Sequence, residues 1–320
     1  MTCRIAISII NYRTGPMTIA CATSVLEDVG DLDVQIVVVD NASGDGSADQ
    51  IADWIAAQPD GTPVTLLRSD RNTGFSGGHN RGMAAVRADY YLILNSDALV
   101  RHGFLKKILA SADANPDAGL IAPRIETADG DLQDNCFRFH TPLSELIRGA
   151  GSGPVTRLLR RYVVALTAPV NPEEIEWASF ACILLRGEMV ARIGPMDEGY
   201  FLYFEDAAYS LTARRAGWGI IHEPDAVVVH FRGGSGPVKA LAQARKRLPP
   251  YYYASRTRFF RQAYGPLGPS LANLMWGMGR LIAQMRRLTG RSVPKATACE
   301  ARDIWTNARD PLGPRRAPGD

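Results

Sequence analysis

The chain begins with a near-continuous apolar run, Ile5-Ala6-Ile7-Ser8-Ile9-Ile10, cut off by the turn-forming Asn11-Tyr12-Arg13-Thr14-Gly15-Pro16. A helix from about residue 17 to 29 follows, then a second aliphatic run, Val34 to Val39, which ends at Asp40. Runs apolar at every position, rather than at alternate ones, suit a parallel sheet covered on both faces, so the pattern predicts a βαβ unit. Further strands are predicted at Val64–Arg68, Tyr90–Leu94, Leu120–Ala122 and Glu176–Leu185. A last strand pair, Trp218–His222 and Ala226–His230, is broken by Glu223-Pro224-Asp225. Helices are predicted near residues 48–57, after the glycine-rich loop 70–82 through Ala88, and at 102–114, 186–192 and 205–216. From 123 to 172 the pattern loosens and reads as a mobile loop. The fold class is α/β: an open, mostly parallel, Rossmann-like sheet with helices on both faces.

Composition adds a division to this picture. A chain of 320 residues, 46% hydrophobic, suits one large domain with an appendage or two modest ones. Residues 1–235 hold 20 Lys+Arg against 29 Asp+Glu, whereas residues 236–320 hold 16 against 4. An acidic body thus carries a basic extension suited to an anionic partner, a membrane surface or nucleic acid. The extension reads as two helices, residues 239–262 and 270–287. The second carries Leu271, Leu274, Met275, Met278, Leu281, Ile282 and Met285 at helical spacing. From Asp310 onward the composition reads as disordered. The five cysteines are scattered and never spaced Cys-x-x-Cys, which argues against a disulfide framework or a zinc cage. With no secretory-signal pattern and no apolar run long enough to span a bilayer, the expectation is a cytoplasmic protein.

Four places carry candidate chemistry. Tyr90 to Leu94 stops abruptly at Asn95-Ser96-Asp97, and ligands of open α/β sheets gather beyond the carboxyl ends of strands. Asp97 there suits a hard divalent cation shared with substrate phosphates, or else a helix N-cap. The glycine-rich Asn72-Thr73-Gly74-Phe75-Ser76-Gly77-Gly78-His79-Asn80-Arg81-Gly82 leads into a helix and suits either an anion or a tight turn. Glu205-Asp206, behind a cluster of aromatics, suits a general base or a helix start. His230 ends its strand beside a Gly-Gly-Ser turn and suits a metal or phosphate contact, or ordinary structure.

Taken in order, Asn11-Tyr12, Val38-Val39-Asp40-Asn41-Ala42-Ser43, the glycine-rich segment, Asn95-Ser96-Asp97, Phe201-Leu202-Tyr203-Phe204-Glu205-Asp206 and His230 resemble the family 2 inverting glycosyltransferases. The resemblance is closest to the rhamnosyltransferase-like branch of bacterial cell-surface glycan synthesis and spans roughly residues 3 to 235. It implies a GT-A fold over 1–235, with a donor half at about 1–122 and an acceptor half at about 123–235. Residues 236–320 would be a basic helical extension with a disordered tail. It further implies that Tyr12 and Asp40 hold the nucleotide base and that Arg71 lies near the donor phosphates. Asn95-Ser96-Asp97 stands where the family often has Asp-x-Asp, so Asp97, with His230, would hold Mg2+ or Mn2+. Asp206 would be the catalytic base, and Trp177 and Glu205 acceptor contacts. The partners implied are a nucleotide-sugar donor, dTDP-rhamnose first and galactosyl, glucosyl or galactofuranosyl donors next, and a lipid-linked glycan acceptor. An anionic membrane surface would be met through 236–320, on the inner face of the cytoplasmic membrane, and nucleic acid is disfavoured. Two rival classes are a nucleotidyltransferase, whose basic glycine-rich loop after the first strand is missing here, and a non-catalytic glycan- or polyanion-binding protein.

Overall fold

The computed structural model describes residues 2–167, 170–231, 238–288, 290, 292–293 and 295–318. Strand β1 (Cys3–Asn11) lies inside the sheet, and the chain builds outward from it on both sides. β2 (Val34–Asp40) and β3 (Val64–Arg68) add in parallel on one side, and β4 (Ala88–Asn95) on the other. The turn Ser96-Asp97 then leads into β5 (Ala98–Val100), a short strand that sequence periodicity does not show. β6 (Ala118–Glu126) is followed by a small separate sheet, in which β7 (Cys136–Phe137) pairs with β8 (Trp177–Ala178). β9 (Cys182–Arg186) and β10 (Gly219–His230) complete the main sheet, whose order is β3-β2-β1-β4-β9-β6-β10-β5. β9 and β5 run against the other strands.

Both faces of this sheet are covered, which accounts for the apolar runs. Ile5, Ile7, Ile9, Leu92 and Leu94 pack with Cys21, Val25, Ile51 and Phe104 from helices on one side. Ile93, Ile183 and Leu185 pack with Met83, Met189 and Tyr209 on the other. The expected final strand pair is one strand instead. Between Glu223 and Val227 the register of β10 against β6 slips, so the Pro224 region bulges out and pairing resumes. The expected strand 176–185 is two strands in two sheets.

The loosely patterned 123–172 region also contains order that its composition hides. The helix Pro142–Ala150 starts with a reciprocal Thr141–Ser144 cap and packs on the helix Gly268–Leu288 of the extension. The two backbones meet at glycines. A Cβ on Gly149 would lie 2.4 Å from the Trp276 carbonyl oxygen, and one on Gly279 2.4 Å from that of Leu146. Beside this seam, the buried Arg256 guanidinium reaches Glu145 at 2.9 Å and Asn273 at 2.7 Å, and Arg148 joins Glu145 to Glu300. The extension is therefore part of the core rather than an appendage, and its first predicted helix is broken into Val238–Gln243 and Pro250–Tyr264 by Pro249-Pro250.

The stretch expected to be disordered from Asp310 is fastened down. Arg258 donates to the Gly313 carbonyl at 3.2 Å, Arg315 to the Thr73 carbonyl at 2.9 Å, and Arg316 to Asn307 at 3.0 Å. Its composition is that of a loop, but these bonds come from partners far away in sequence.

Two glycines of one helix give a paired test of the seam. Gly279→Val should cost about 1–3 kcal/mol or more in urea unfolding, because its branches meet backbone. At Gly277 an added Cβ meets nothing within 4 Å, so Gly277→Ala should be neutral or stabilise by about 0.5–1 kcal/mol.

Candidate active site

The carboxyl ends of β1, β2 and β4 meet over a polar knot centred on Asn11, which is fully buried. Its Nδ2 donates to Asp40 at 2.7 Å, Ser47 at 2.8 Å and Ser43 at 3.1 Å, while its Oδ1 accepts from the Thr14 amide at 3.1 Å. The Asp40 carboxylate is held inward by Asn11 and by the Ser43 hydroxyl at 2.5 Å. Above the knot opens a cleft of about 190 Å³, lined among others by Tyr12, Asn41, Asn72, Asn95, Ser96 and Phe201. Of the residues expected to hold a nucleotide, Tyr12, Asn95 and Ser96 line this cleft. Asp40 does not, because its carboxylate braces the loop beneath. Arg71 is exposed in a neighbouring hollow with Ser69, Asp70, Thr73 and Arg81.

The glycine-rich segment works differently from an anion cradle. The amides of Thr73, Gly74 and Phe75 are already donated, to Asn41 and Asn72 side chains and to the Phe201 carbonyl. Its glycines serve close packing. Gly74 has φ +74° with Phe201 backbone 2.3 Å from where a Cβ would sit, and a Cβ on Gly82 would lie 2.2 Å from Ser8 Oγ. One consequence is His79, which sequence reading did not single out. Its Nδ1 shares a 2.9 Å hydrogen bond with Ser8, and burial pushes its pKa down to about 3, so it stays neutral. Its Nε2 has no partner among the described residues, and the ring lines the cleft.

Asp97 and His230 come together. His230 pairs with Ala98 in the β5–β10 ladder, and the Asp97 carbonyl accepts the Phe231 amide at 2.8 Å. This puts His230 Nε2 3.2 Å from Asp97 Oδ1. Asp97 is 2% exposed, and neither of its carboxylate oxygens has a hydrogen-bond partner among the described residues. A buried carboxylate whose near neighbour is a single imidazole nitrogen is costly unless a cation or further donor completes it. A carboxylate and an imidazole nitrogen with no further donors fit a divalent cation, with substrate phosphates and water filling the remaining positions. Among the described residues no group of three or more His, Cys, Asp or Glu could hold a metal by itself. The Gly-Gly-Ser turn after His230 lies outside the described residues.

Glu205 and Asp206 open the helix Glu205–Arg215, just after Phe201 and Leu202 of the cleft wall. Asp206 is half-buried and accepts the Ala207 amide at 2.8 Å. Burial pushes its carboxyl up to about 7, against the downward pull of the amides of Ala207, Asp206 itself and Phe180. Glu205 is buried with Oε2 unpartnered, and burial followed by the Asp206 charge drives its pKa well above the usual carboxylate range. The two environments separate the pair: Glu205 keeps its proton while Asp206 ionises near neutrality. Phe180 and Ala181 tie this acid to the turn at Asp97, since the Phe180 amide faces Asp206 and the Ala181 carbonyl accepts the Asn95 amide at 2.9 Å. Trp177, expected to contact an acceptor, is buried. Its ring stacks on Phe137 at 4.2 Å and its N–H goes to the Arg138 carbonyl.

Comparison with known proteins gives this geometry a context. Residues 6–153 match the family model described as Glycosyl transferase family 2. An N-acetylglucosaminyl-diphospho-decaprenol L-rhamnosyltransferase of Mycobacterium tuberculosis is 27% identical over 232 residues, covering 67% of this chain and 72% of that protein. A pre-mycofactocin glycosyltransferase of the same organism is 25% identical over 284 residues, 83% of this chain and 53% of that one. In fold, the chain is similar to a mannosyltransferase from Pyrobaculum calidifontis solved with GDP-Man and Mn2+, with a TM-score of 0.58, 16% identity and coverage of 98% and 85%. The fold is GT-A.

The orphaned carboxylate makes a measurable prediction. Mn2+ titrated in the presence of dTDP should bind the unaltered protein, and Asp97→Ala should weaken that binding at least about tenfold, the equivalent of roughly 1.4 kcal/mol. Calorimetry showing equal Mn2+ affinity in both proteins would remove Asp97 from the site.

Proposed function

Since the chain belongs to the family 2 glycosyltransferases, in their rhamnosyltransferase-like branch, we propose that it is a metal-dependent inverting enzyme moving a sugar from a nucleotide to a lipid-linked glycan. The observation that carries this reading is the placing of Asp97 beside His230 and of Asp206 at the head of its helix, the two linked through Phe180-Ala181, whose Phe180 amide faces Asp206 and whose Ala181 carbonyl accepts the Asn95 amide. The donor nucleotide occupies the cleft over Tyr12, Asn95 and Ser96, with its diphosphate toward Asp97 and His230. Those two residues would hold Mg2+ or Mn2+, which would supply positive charge to neutralise the leaving diphosphate. Asp206, ionised near neutral pH, takes the proton of the acceptor hydroxyl as it attacks the anomeric carbon from the face opposite the leaving group. That single displacement inverts the anomer. Protonated Glu205 adds no second negative charge beside the base. The donor we favour is dTDP-rhamnose, its sugar being the one in the name of the mycobacterial relative.

The extension supplies a fitting surface for a lipid-linked acceptor. Leu267, Leu271, Leu274, Met278, Leu281, Met285 and Leu288 are all exposed and are spaced alternately four and three residues apart, forming one stripe along the helix Gly268–Leu288. Leu288 is 89% exposed. In the segment after the helix Pro142–Ala150, Leu158 is 83% exposed and flanked by exposed Arg157, Arg160 and Arg161. Arg286 ties the start of that segment to the helix Gly268–Leu288 through the Gly151 carbonyl at 3.2 Å. The chain contains no Asp or Glu between Asp225 and Glu300. A second copy docked here would set arginine against arginine, whereas an anionic bilayer satisfies both the charge and the apolar stripe. No helix among the described residues is long and apolar enough to cross a membrane, so the contact is with the surface.

Two experiments test these readings. Asp206→Asn should lower transfer about 10²–10⁴-fold while dTDP binding persists, and kcat/KM of the unaltered enzyme should rise as pH passes through about 7 and Asp206 ionises. Near-normal turnover by the variant, or a profile flat across neutral pH, would remove the base. For the surface, the double variant Leu274→Gln/Leu281→Gln should lose most binding to phosphatidylglycerol vesicles in co-sedimentation, with neither protein binding phosphatidylcholine. Equal sedimentation of the two proteins would exclude the stripe.

A further inference from the structure

The cleft is not completed by the part of the chain that resembles a glycosyltransferase. Its floor is the ends of β1 and β4, and two sides are the Asn72–Phe75 segment and Phe201-Leu202, but the remaining side is Tyr251 and Pro318. Both belong to the basic extension. The segment leading to Pro318 is bonded to the glycine-rich loop, to the turn at Glu198 and to the helix Pro250–Tyr264, but not to its own sequence neighbours alone. Arg315 Nη1 donates to the Thr73 carbonyl at 2.9 Å and to that of Glu198 at 3.4 Å. Arg258, which grips Asp197 at 2.8 and 3.0 Å, also donates to the Gly313 carbonyl. Ala317 packs against the cluster formed by Phe201, Tyr251 and Tyr253.

We propose that residues 313–318 form the fourth wall of the nucleotide site, and that Arg315 is the positioning residue that fixes this wall against the glycine-rich loop. The proposal depends on reading the cleft as a nucleotide site. The wall lies at the Asn41–Asn72–Thr73 end of the cleft, whereas the diphosphate belongs at the Asp97–His230 end. It therefore borders the nucleoside, where base and ribose are recognised, and not the reacting carbon. The cleft's volume of about 190 Å³ is below the roughly 300–1,000 Å³ usual for ligand sites, so a whole nucleotide sugar enters only as the wall swings outward. The bonds that tie it to the rest of the cleft wall include those of Arg315 to two carbonyls and of Arg258 to one, exchangeable polar contacts that can break and re-form during each binding event. Once closed, the wall buries the nucleoside and slows its escape.

The test is nucleotide binding and release in the full chain, in Arg315→Ala and in a form lacking residues 313–320. The probes are UDP, dTDP and GDP with Mn2+ by calorimetry, and the N-methylanthraniloyl derivative of the tightest binder by stopped flow. Thermal melting reports folding, and Arg315→Lys tests whether a cation alone restores the latch. Both altered forms should melt with the unaltered protein, bind the preferred diphosphate about tenfold more weakly, release it about tenfold faster and discriminate less among the three bases. Arg315→Lys should recover part of the loss. Unchanged affinity and release in either altered form would overturn the wall. So would tighter binding after truncation, which would make the segment a plug. If the unaltered protein binds none of the three nucleotides, the reading of the cleft fails, which is a separate outcome from failure of the wall.

Discussion

The pairing of three residues of β5 with the end of β10 is the constraint on which the site depends. Val100, Leu99 and Ala98 lie opposite Val228, Val229 and His230, and this antiparallel register carries His230 back to the turn it would otherwise pass. Without it, Asp97 would be a buried carboxylate with no neighbour able to answer its charge. With it, a buried carboxylate is held beside an imidazole at the end of a rigid sheet, an arrangement set by the fold in advance. The bulge at Pro224 serves the same end, because slippage in β10 lets its last residues resume pairing with β6 and β5 together.

A second theme is the division of labour among polar residues that look alike in sequence. Asp40, Asn11 and Ser43 satisfy one another and turn their polarity inward, so they shape the cleft without entering it. The glycines at 74, 78 and 82 let a helix lie directly on β1 and Phe201, with their leading amides already occupied. Polarity available to a ligand is left at Tyr12, Asn95, Ser96 and the free Nε2 of His79. Glu205 and Asp206 divide in the same way, since one stays protonated in apolar surroundings and the other is kept nearer ionisation by amides.

The basic extension joins these parts into one machine. Its buried Arg256 and the Arg148–Glu300 pair lock it to the helix Pro142–Ala150. From that anchor it offers an arginine-rimmed apolar stripe outward, and it returns a short segment to the cleft. The same 80-odd residues thus line part of the cleft and carry the exposed stripe.

Apolar periodicity and strand-end chemistry alone determined that the chain is an α/β sheet with Asp97, Asp206 and His230 at or near element ends, because such signals are local and repeat at fixed spacing. The motif order was specific enough to indicate the family. Local signals could not reveal β5, three residues long with no period of its own, or the fastening of residues 313–318, whose bonds reach back to Thr73 across 242 positions. Nor could they sort Asp40 from Asp97. Both end aliphatic strands, and only the partners brought in by tertiary folding, Asn11 and Ser43 for one and an imidazole for the other, decide which carboxylate is tied into a hydrogen-bonded knot and which faces a histidine.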